Sequence, residues 1–163
     1  MSSNVSLRDA GPRDVLFLVD SNRAMALETE GRRLSRDTLD RGVRAVFDQP
    51  GRGFYLIAEH DARAVGCLLI TREWSDWRNG DWWWLQSVYV VPAARRVGVF
   101  RAMYREVERR AAVADVVGLR LYVDADNTKA KEVYLSLGME HARYELFEHA
   151  ARLALPDPAS DAT

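Results

Sequence analysis

Residues 86–101 read QSVYVVPAARRVGVFR. The run Trp82–Val91 is dense in aromatic and β-branched residues and predicts a strand, ended by Pro92. A short loop bearing Arg95, Arg96 and Gly98 follows, and a helix opens near Gly98 with Phe100, Met103, Val107, Ala111 and Ala114 as its apolar stripe. A helix N-terminus presents backbone N–H groups without internal partners, and the helix dipole adds positive potential. Together these suit phosphate. Gly98 allows close backbone approach, and Arg95, Arg96 and Arg101 add charge that can fork onto phosphate oxygens. Taken alone, the same residues also describe an ordinary strand–loop–helix junction with a solvated arginine face.

Outward from this junction, Gly118–Val123 reads as a short strand, giving a β-α-β unit whose two strands run parallel with a right-handed crossover. Thr128–Leu137 predicts a helix stopped by Gly138, and Arg143–Glu148 a closing strand. Upstream, Phe54–Glu59 and Ala64–Thr71 read as a hairpin through residues 60–63, and 73–81 as a long loop. Val5–Arg8 predicts an edge strand. A helix follows Pro12, an interruption spans 29–37, and a second helix carries Leu39, Val43, Val46 and Phe47, capped by Ser35 or Asp37. The order β-α-α-β-β-β-α-β-α-β points to an α+β or mixed α/β fold.

The 163 residues fit one domain, and 48% hydrophobic with 29% charged residues suits a globular chain. A formal net charge of -1 exerts no overall pull on nucleic acid or anionic membrane, and Glu106 and Glu108 interrupt the basic helix 95–110. No apolar run is long enough to span a bilayer, and the first residues lack a signal-peptide core. Cys67 is the one cysteine, so neither an intrachain disulfide nor a cysteine zinc site can form, and the three histidines lack ligand spacing. These features lead to the expectation of a cytoplasmic protein without a metal. Cys67 itself reads as a small core residue.

Residues 86–104 resemble the acetyl-CoA signature of the GNAT superfamily of N-acetyltransferases, Val-x-Pro-x-x-Arg-x-x-Gly-x-Gly/Ala. Arg95 and Gly98 match, and Phe100 stands where the second small residue usually falls. Farther on, Asn127, Ala130, Tyr134 and Gly138 are in register with the family's Asn-x-x-Ala-x-x-x-Tyr-x-x-x-Gly-Phe segment, with Met139 in place of Phe. Two motifs in the right order are far more specific than either alone. The resemblance covers 54–147 well, and the first 50 residues only as a strand and two helices.

The resemblance implies one acetyltransferase domain over 1–150, and the Ala-, Pro-, Asp- and Ser-rich composition of 151–163 reads as a flexible tail. It implies a mostly antiparallel central sheet of about six to seven strands, about four flanking helices, and a splayed parallel strand pair. Acetyl-CoA is then the co-substrate, held by Val88, Tyr89, Val90, Arg95, Arg96, Val97, Gly98, Val99, Phe100, Arg101, Asn127 and Lys131. A backbone N–H near Tyr89 or Val90 polarises the thioester carbonyl, and Tyr134 is the candidate general acid for the departing thiolate. Spacing alone favours a core tyrosine on an amphipathic helix with Ala130 and Leu137, and the motif register reverses that preference.

For the acceptor side, Glu28 is a candidate base, with Glu30, Asp76 and Gln86 as further pocket residues. Solvated helix glutamates are the commoner fate of such positions. Five tryptophans fall within 74–84. Trp74, Trp77 and Trp84 form a candidate aromatic wall for an ammonium, or a staple for a loop or dimer contact. The expected activity is acetyl transfer to a primary amine of a small molecule or peptide, by direct attack. The competing reading is a non-catalytic acyl-CoA-binding regulatory module on the same fold. No nucleic-acid or membrane partner is expected, and a homodimer is left open.

Overall fold

The computed structural model describes residues 5–149. They fall into two compact units, one through Tyr122 and one from Val123 onward. The tail expected over 151–163 lies outside the described residues.

The first unit is built on a five-stranded sheet in the order β1-β2-β3-β4-β5. Its strands are β1 (Val5–Asp9), β2 (Gly53–His60), β3 (Arg63–Ser75), β4 (Gly80–Val90) and β5 (Gly118–Leu121). The first four pair antiparallel in succession, and β5 joins β4 in parallel, as the β-α-β crossover requires. β1 is an edge strand, as its short sequence predicts. The β2–β3 connection narrows to Asp61 and Ala62, both at positive φ, the conformation a two-residue hairpin needs to match strand twist.

Three helices flank this sheet: α1 (Val15–Glu30), α2 (Arg36–Asp48) and α3 (Val99–Val113). Ser35, and not Asp37, caps α2, its Oγ accepting from the Thr38 N–H. Val15, Leu18 and Val19 of α1 and Val43 and Val46 of α2 bury against Tyr55, Ile57, Cys67 and Tyr89. Strand alternation sends Leu56, Leu68 and Ile70 to the opposite face, where Met103 and Val107 of α3 are also fully buried. Contact is close: a Cβ on Gly66 would sit 3.1 Å from the Val99 side chain and 3.2 Å from that of Met103.

Two sequence expectations fail here. The stretch 73–81 is not a long loop, because β3 continues to Ser75 and β4 begins at Gly80. Cross-strand partners decide it: Glu73 opposes Trp82, and Trp74 opposes Asp81. The polar composition that suggested a loop belongs to the exposed strand ends and the short turn over 76–79. Arg143–Glu148 forms no strand, and Tyr144, Leu146 and Phe147 are exposed. Propensity without a ladder partner does not make a strand. The sheet therefore has five strands among the described residues, not six or seven. The second unit contains α4 (Thr128–Ser136), ending just before Gly138 as expected.

Candidate active site

Pairing between β4 and β5 covers Trp82 to Leu85 and then stops. Just beyond, the β3–β4 register slips: Leu69 opposes Gln86, but Cys67 opposes Tyr89. Two steps on β3 thus face three on β4, a bulge, and Ser87 within it has φ 49°. The extra residue puts Tyr89 on the same sheet face as Gln86, Trp84 and Trp82. It also turns the backbone beyond it. The Val91 N–H donates to the Val65 carbonyl at 2.9 Å. Alternation along an antiparallel strand then directs the Val90 N–H and C=O away from β3, toward the side β5 has left.

The chain leaves β4 through a tight turn at Pro92–Ala94 and reaches α3 with Arg96 at φ 67° and Gly98 at φ 88°. Gly98 N-caps α3 in the left-handed region, and its carbonyl accepts from the Ala102 N–H at 2.9 Å. Among the described residues, and apart from its chain neighbours and its own helix backbone, nothing lies within 4 Å of where a Gly98 Cβ would be. The first turn of α3 carries no acidic residue, while Arg96, Val97 and Arg101 are exposed around it. Helix-end amides, a glycine open to its surroundings and two exposed guanidinium groups suit a diphosphate. Val99 is buried in the core. The Phe100 ring sits 6.2 Å from that of Tyr104, so the bulky residue packs along its own helix.

Arg95 does not share that exposure to solvent alone. Its Nε donates to the Val90 carbonyl at 2.8 Å, and its Nη2 to Glu28 Oε2 at 2.7 Å. Its guanidinium also stacks 5.5 Å from the Tyr89 ring centroid. The Tyr89 hydroxyl donates to the second Glu28 oxygen at 3.3 Å. Burial, reinforced by the Glu28 carboxylate, raises the Tyr89 phenol above its ordinary value. Glu28, from the last turn of α1, and Arg95 and Tyr89, from opposite ends of the site sequence, are thus brought into one cluster. Glu30 is set apart, paired to Arg32 at 3.4 Å on the surface.

The same sheet face continues down β4 as a polar and aromatic ladder. Gln86 Nε2 donates to Thr71 Oγ1 at 2.6 Å. Trp84 Nε1 donates to one oxygen of Glu73, and Arg120 Nη1 donates to the other at 3.0 Å. Arg120 stacks on Trp82, and the Trp84 ring lies 4.4 Å from that of Tyr122. Trp84 and Gln86 therefore belong here. Trp74 does not: it opposes Asp81, one step out of phase, and projects from the other face. Trp77 and Asp76 lie in the β3–β4 turn, where Asp76 Oδ1 accepts the Trp77 N–H at 2.9 Å and Trp77 is 86% exposed.

Thr71, Glu73, Arg120 and Tyr122 escaped the sequence reading. Period-two alternation carried past Thr71 would have found Glu73. Nothing in the spacing signals Arg120, which lies 47 residues away from the carboxylate it meets.

In the second unit, Asn127 caps α4, its Oδ1 accepting from the Ala130 N–H at 3.1 Å. Lys131 Nζ donates to the Ala125 carbonyl. Burial raises the Tyr134 phenol above its ordinary value, so it stays protonated at neutral pH. Cys67 is 1% exposed, and burial pushes its thiol up to about 11, consistent with a core side chain. Among the described residues, no cluster of three or more His, Cys, Asp or Glu is placed to hold a metal ion. No described helix is long and apolar enough to cross a membrane.

The family model for the acetyltransferase (GNAT) family matches residues 18–139. A possible acetyltransferase from Clostridium difficile 630 is 35% identical, covering 91% of this chain and 98% of its own, with a TM-score of 0.86. An integron cassette protein from the mobile metagenome of Cole Harbour Salt Marsh is 25% identical over 92% of this chain and 91% of its own, with a TM-score of 0.79. A predicted acetyltransferase from Clostridium acetobutylicum, solved with acetyl-CoA, shares the fold at 17% identity and a TM-score of 0.74, covering 89% of this chain and 96% of its own. A search of curated proteins yields no match. With the family model spanning most of its length and a 35% identical relative matching nearly end to end, this chain belongs to the GNAT family of acetyltransferases.

Proposed function

We propose that this protein transfers the acetyl group of acetyl-CoA to a primary amine of a small molecule or peptide, by direct attack and without an acyl-enzyme. One observation carries the reading: β4 parts from β5 after Leu85, bulges at Ser87, and runs through a left-handed turn into α3. The residues suit the coenzyme. The Val90 N–H, directed away from β3, serves as the donor to the thioester carbonyl, where negative charge develops on attack. The amides around Gly98, with Arg96 and Arg101, serve the diphosphate. Bound acetyl-CoA supplies the activated acyl group, and the chain supplies position and charge.

The acceptor approaches over the face bearing Trp84, Gln86 and Tyr89. The motif register assigns Tyr134 to protonate the departing thiolate, and burial keeps that phenol neutral and protonated at neutral pH. The amine gives up one proton to solvent and Tyr134 regains one, so the net change moves a proton from nitrogen to sulfur. Glu28 and Glu73 each already hold a guanidinium, which argues for solvent as the final proton acceptor.

A thiol-release assay with acetyl-CoA against a panel of polyamines, amino acids, aminoglycosides and peptides tests the proposal. Amine-dependent release of one thiol per acetylated product is expected. Calorimetric binding of acetyl-CoA with no release across the panel would instead identify a non-catalytic binding module. No binding at all would overturn both.

A further inference from the structure

We infer that Arg95 is a positioning residue which ties the end of α1 to the catalytic strand, and that Glu28 is its anchor and not the general base. The inference rests on the acetyl-transfer reading above. Its motif position marks Arg95 for the coenzyme diphosphate, yet its Nε and Nη2 donate to groups of the protein.

One side holds the Val90 carbonyl at 2.8 Å, and the other holds Glu28 at 2.7 Å. The guanidinium plane is backed by the Tyr89 ring, and Tyr89 returns a hydrogen bond to Glu28. The result is a closed ring of contacts: β4 to Arg95, Arg95 to α1, and α1 back to β4.

Two consequences follow for the reaction. The peptide group after Val90 cannot rotate without breaking its bond to Arg95, so the direction of β4 at the thioester is fixed. The last turn of α1, which borders the acceptor face, is held at a set distance from the same peptide. A group that fixes both reactants acts on orientation, and orientation appears in turnover more than in coenzyme affinity. Arginine is required because its planar fork donates in two directions at once; a lysine ammonium keeps the charge but not that geometry. Glu28 uses one oxygen for Arg95 and the other for Tyr89, so an amine proton has to compete there with two bonds already made.

The side chains of Arg95 and Glu28 are 41% and 42% exposed, so substitutions there leave the core intact. The test uses Arg95→Lys, Arg95→Met, Glu28→Ala and the double variant Arg95→Met/Glu28→Ala in the full chain. Three quantities are measured: the Kd for acetyl-CoA by calorimetry, kcat and KM with the best amine, and amide exchange in the last turn of α1.

Positioning predicts that kcat falls about 10-fold or more in all three single variants, as misorientation does, with Kd changed less than 3-fold. Lysine does not rescue, the double variant is no worse than Arg95→Met, and exchange at residues 26–30 speeds up in each. A diphosphate ligand gives the opposite pattern: Kd weakens in Arg95→Met, lysine restores it, and Glu28→Ala is silent in kcat, Kd and exchange. That pattern overturns the inference, as does unchanged exchange and turnover in every variant. If the wild type releases no thiol with any amine, the transfer reading fails separately. The exchange measurement still decides whether Arg95 and Glu28 hold α1 to β4.

Discussion

The guanidinium carbon of Arg120 lies 3.8 Å from the ring centroid of Trp82, and its Nη1 lies 3.0 Å from Glu73 Oε1. The aromatic surface beside the β4–β5 pair already contains its own cation. If the acceptor approaches this face as proposed, its ammonium meets not an empty aromatic cage but a platform of Trp82, Trp84 and Tyr122 that already carries one guanidinium and one carboxylate. Replacing Arg120 with Ala removes the stack and leaves Glu73 with the Trp84 N–H alone. We expect the acceptor KM to change by about 3- to 30-fold, the span of one cation–π contact, with acetyl-CoA affinity unaltered. Initial rates with acceptor varied at saturating acetyl-CoA measure it. An unchanged KM across the amine panel would place the acceptor elsewhere.

Tyr134→Phe isolates the proton step. General acid catalysis is worth roughly 10²–10⁴-fold, so kcat should fall by at least about 100-fold, while acetyl-CoA Kd holds. The pH profile carries the sign. Burial raises the phenol above 10.0, so the acid form persists through that pH, and the alkaline loss of kcat attributable to Tyr134 falls above it. A wild-type kcat that declines with a midpoint near 9 would assign the limb to another group.

Stability under acid should depend on the ion cluster at the start of α1. Asp14 is 6% exposed and accepts both terminal nitrogens of Arg8 at 2.8 Å; Arg8 also holds Glu59. Hydrogen bonding to Arg8 is the main cause that depresses the Asp14 carboxyl below 3.8. On α3, Arg109 and Arg110 likewise hold Glu106 at about 2. A depressed folded-state value means the stabilisation is complete above the unfolded value and lost as pH falls through the folded one. For Glu106 that window runs from 4.5 down to about 2. Arg8→Met strands a buried carboxylate and should cost about 3 kcal/mol at pH 7, with the deficit shrinking below pH 4 as Asp14 protonates. Urea midpoints from pH 2.5 to 7 for both proteins provide the check.

Gly53 opens β2 at φ 150°, and a Cβ there would fall 1.9 Å from the Ile70 carbonyl oxygen. The obstruction is backbone in a paired strand, so no side-chain rotation relieves it. Gly53→Ala should destabilise by about 3 kcal/mol or more, as strained core positions do. Gly98→Ala differs: nothing stands near the added methyl, and only the left-handed φ of 88° is strained, at a cost of about 1–2 kcal/mol. Its larger effect should be on acetyl-CoA affinity. Thermal melts and calorimetry on the two variants separate these outcomes.

Much of the frame was legible because it is written in local periodicities. The apolar stripe of α3, the β-branched density of β4 and the Ser35 cap each belong to a segment that carries its own signal. The loop expected over 73–81 misled because Glu73 and Trp74 become strand only through partners on β4. Arg143–Glu148 misled in the opposite sense, with strand-forming residues and no ladder to join. Within the site, Gly98 and the arginines after Pro92 could be read from order and spacing. The commitment of Arg95 to Glu28 could not, since 67 residues separate them.

By itself the sequence determined the family and the strand–turn–helix junction, and it nominated Tyr134 as a proton donor, since each is a pattern of neighbouring residues. Tertiary structure alone decided that the bulge at Ser87 turns Tyr89 onto the face of Gln86, that Glu73 and Arg120 share the tryptophan platform, and that Arg95 faces a carboxylate. The reason is range: periodicity reports which way a side chain points along its own segment, whereas ion pairs and stacks depend on which distant segment the sheet lays beside it.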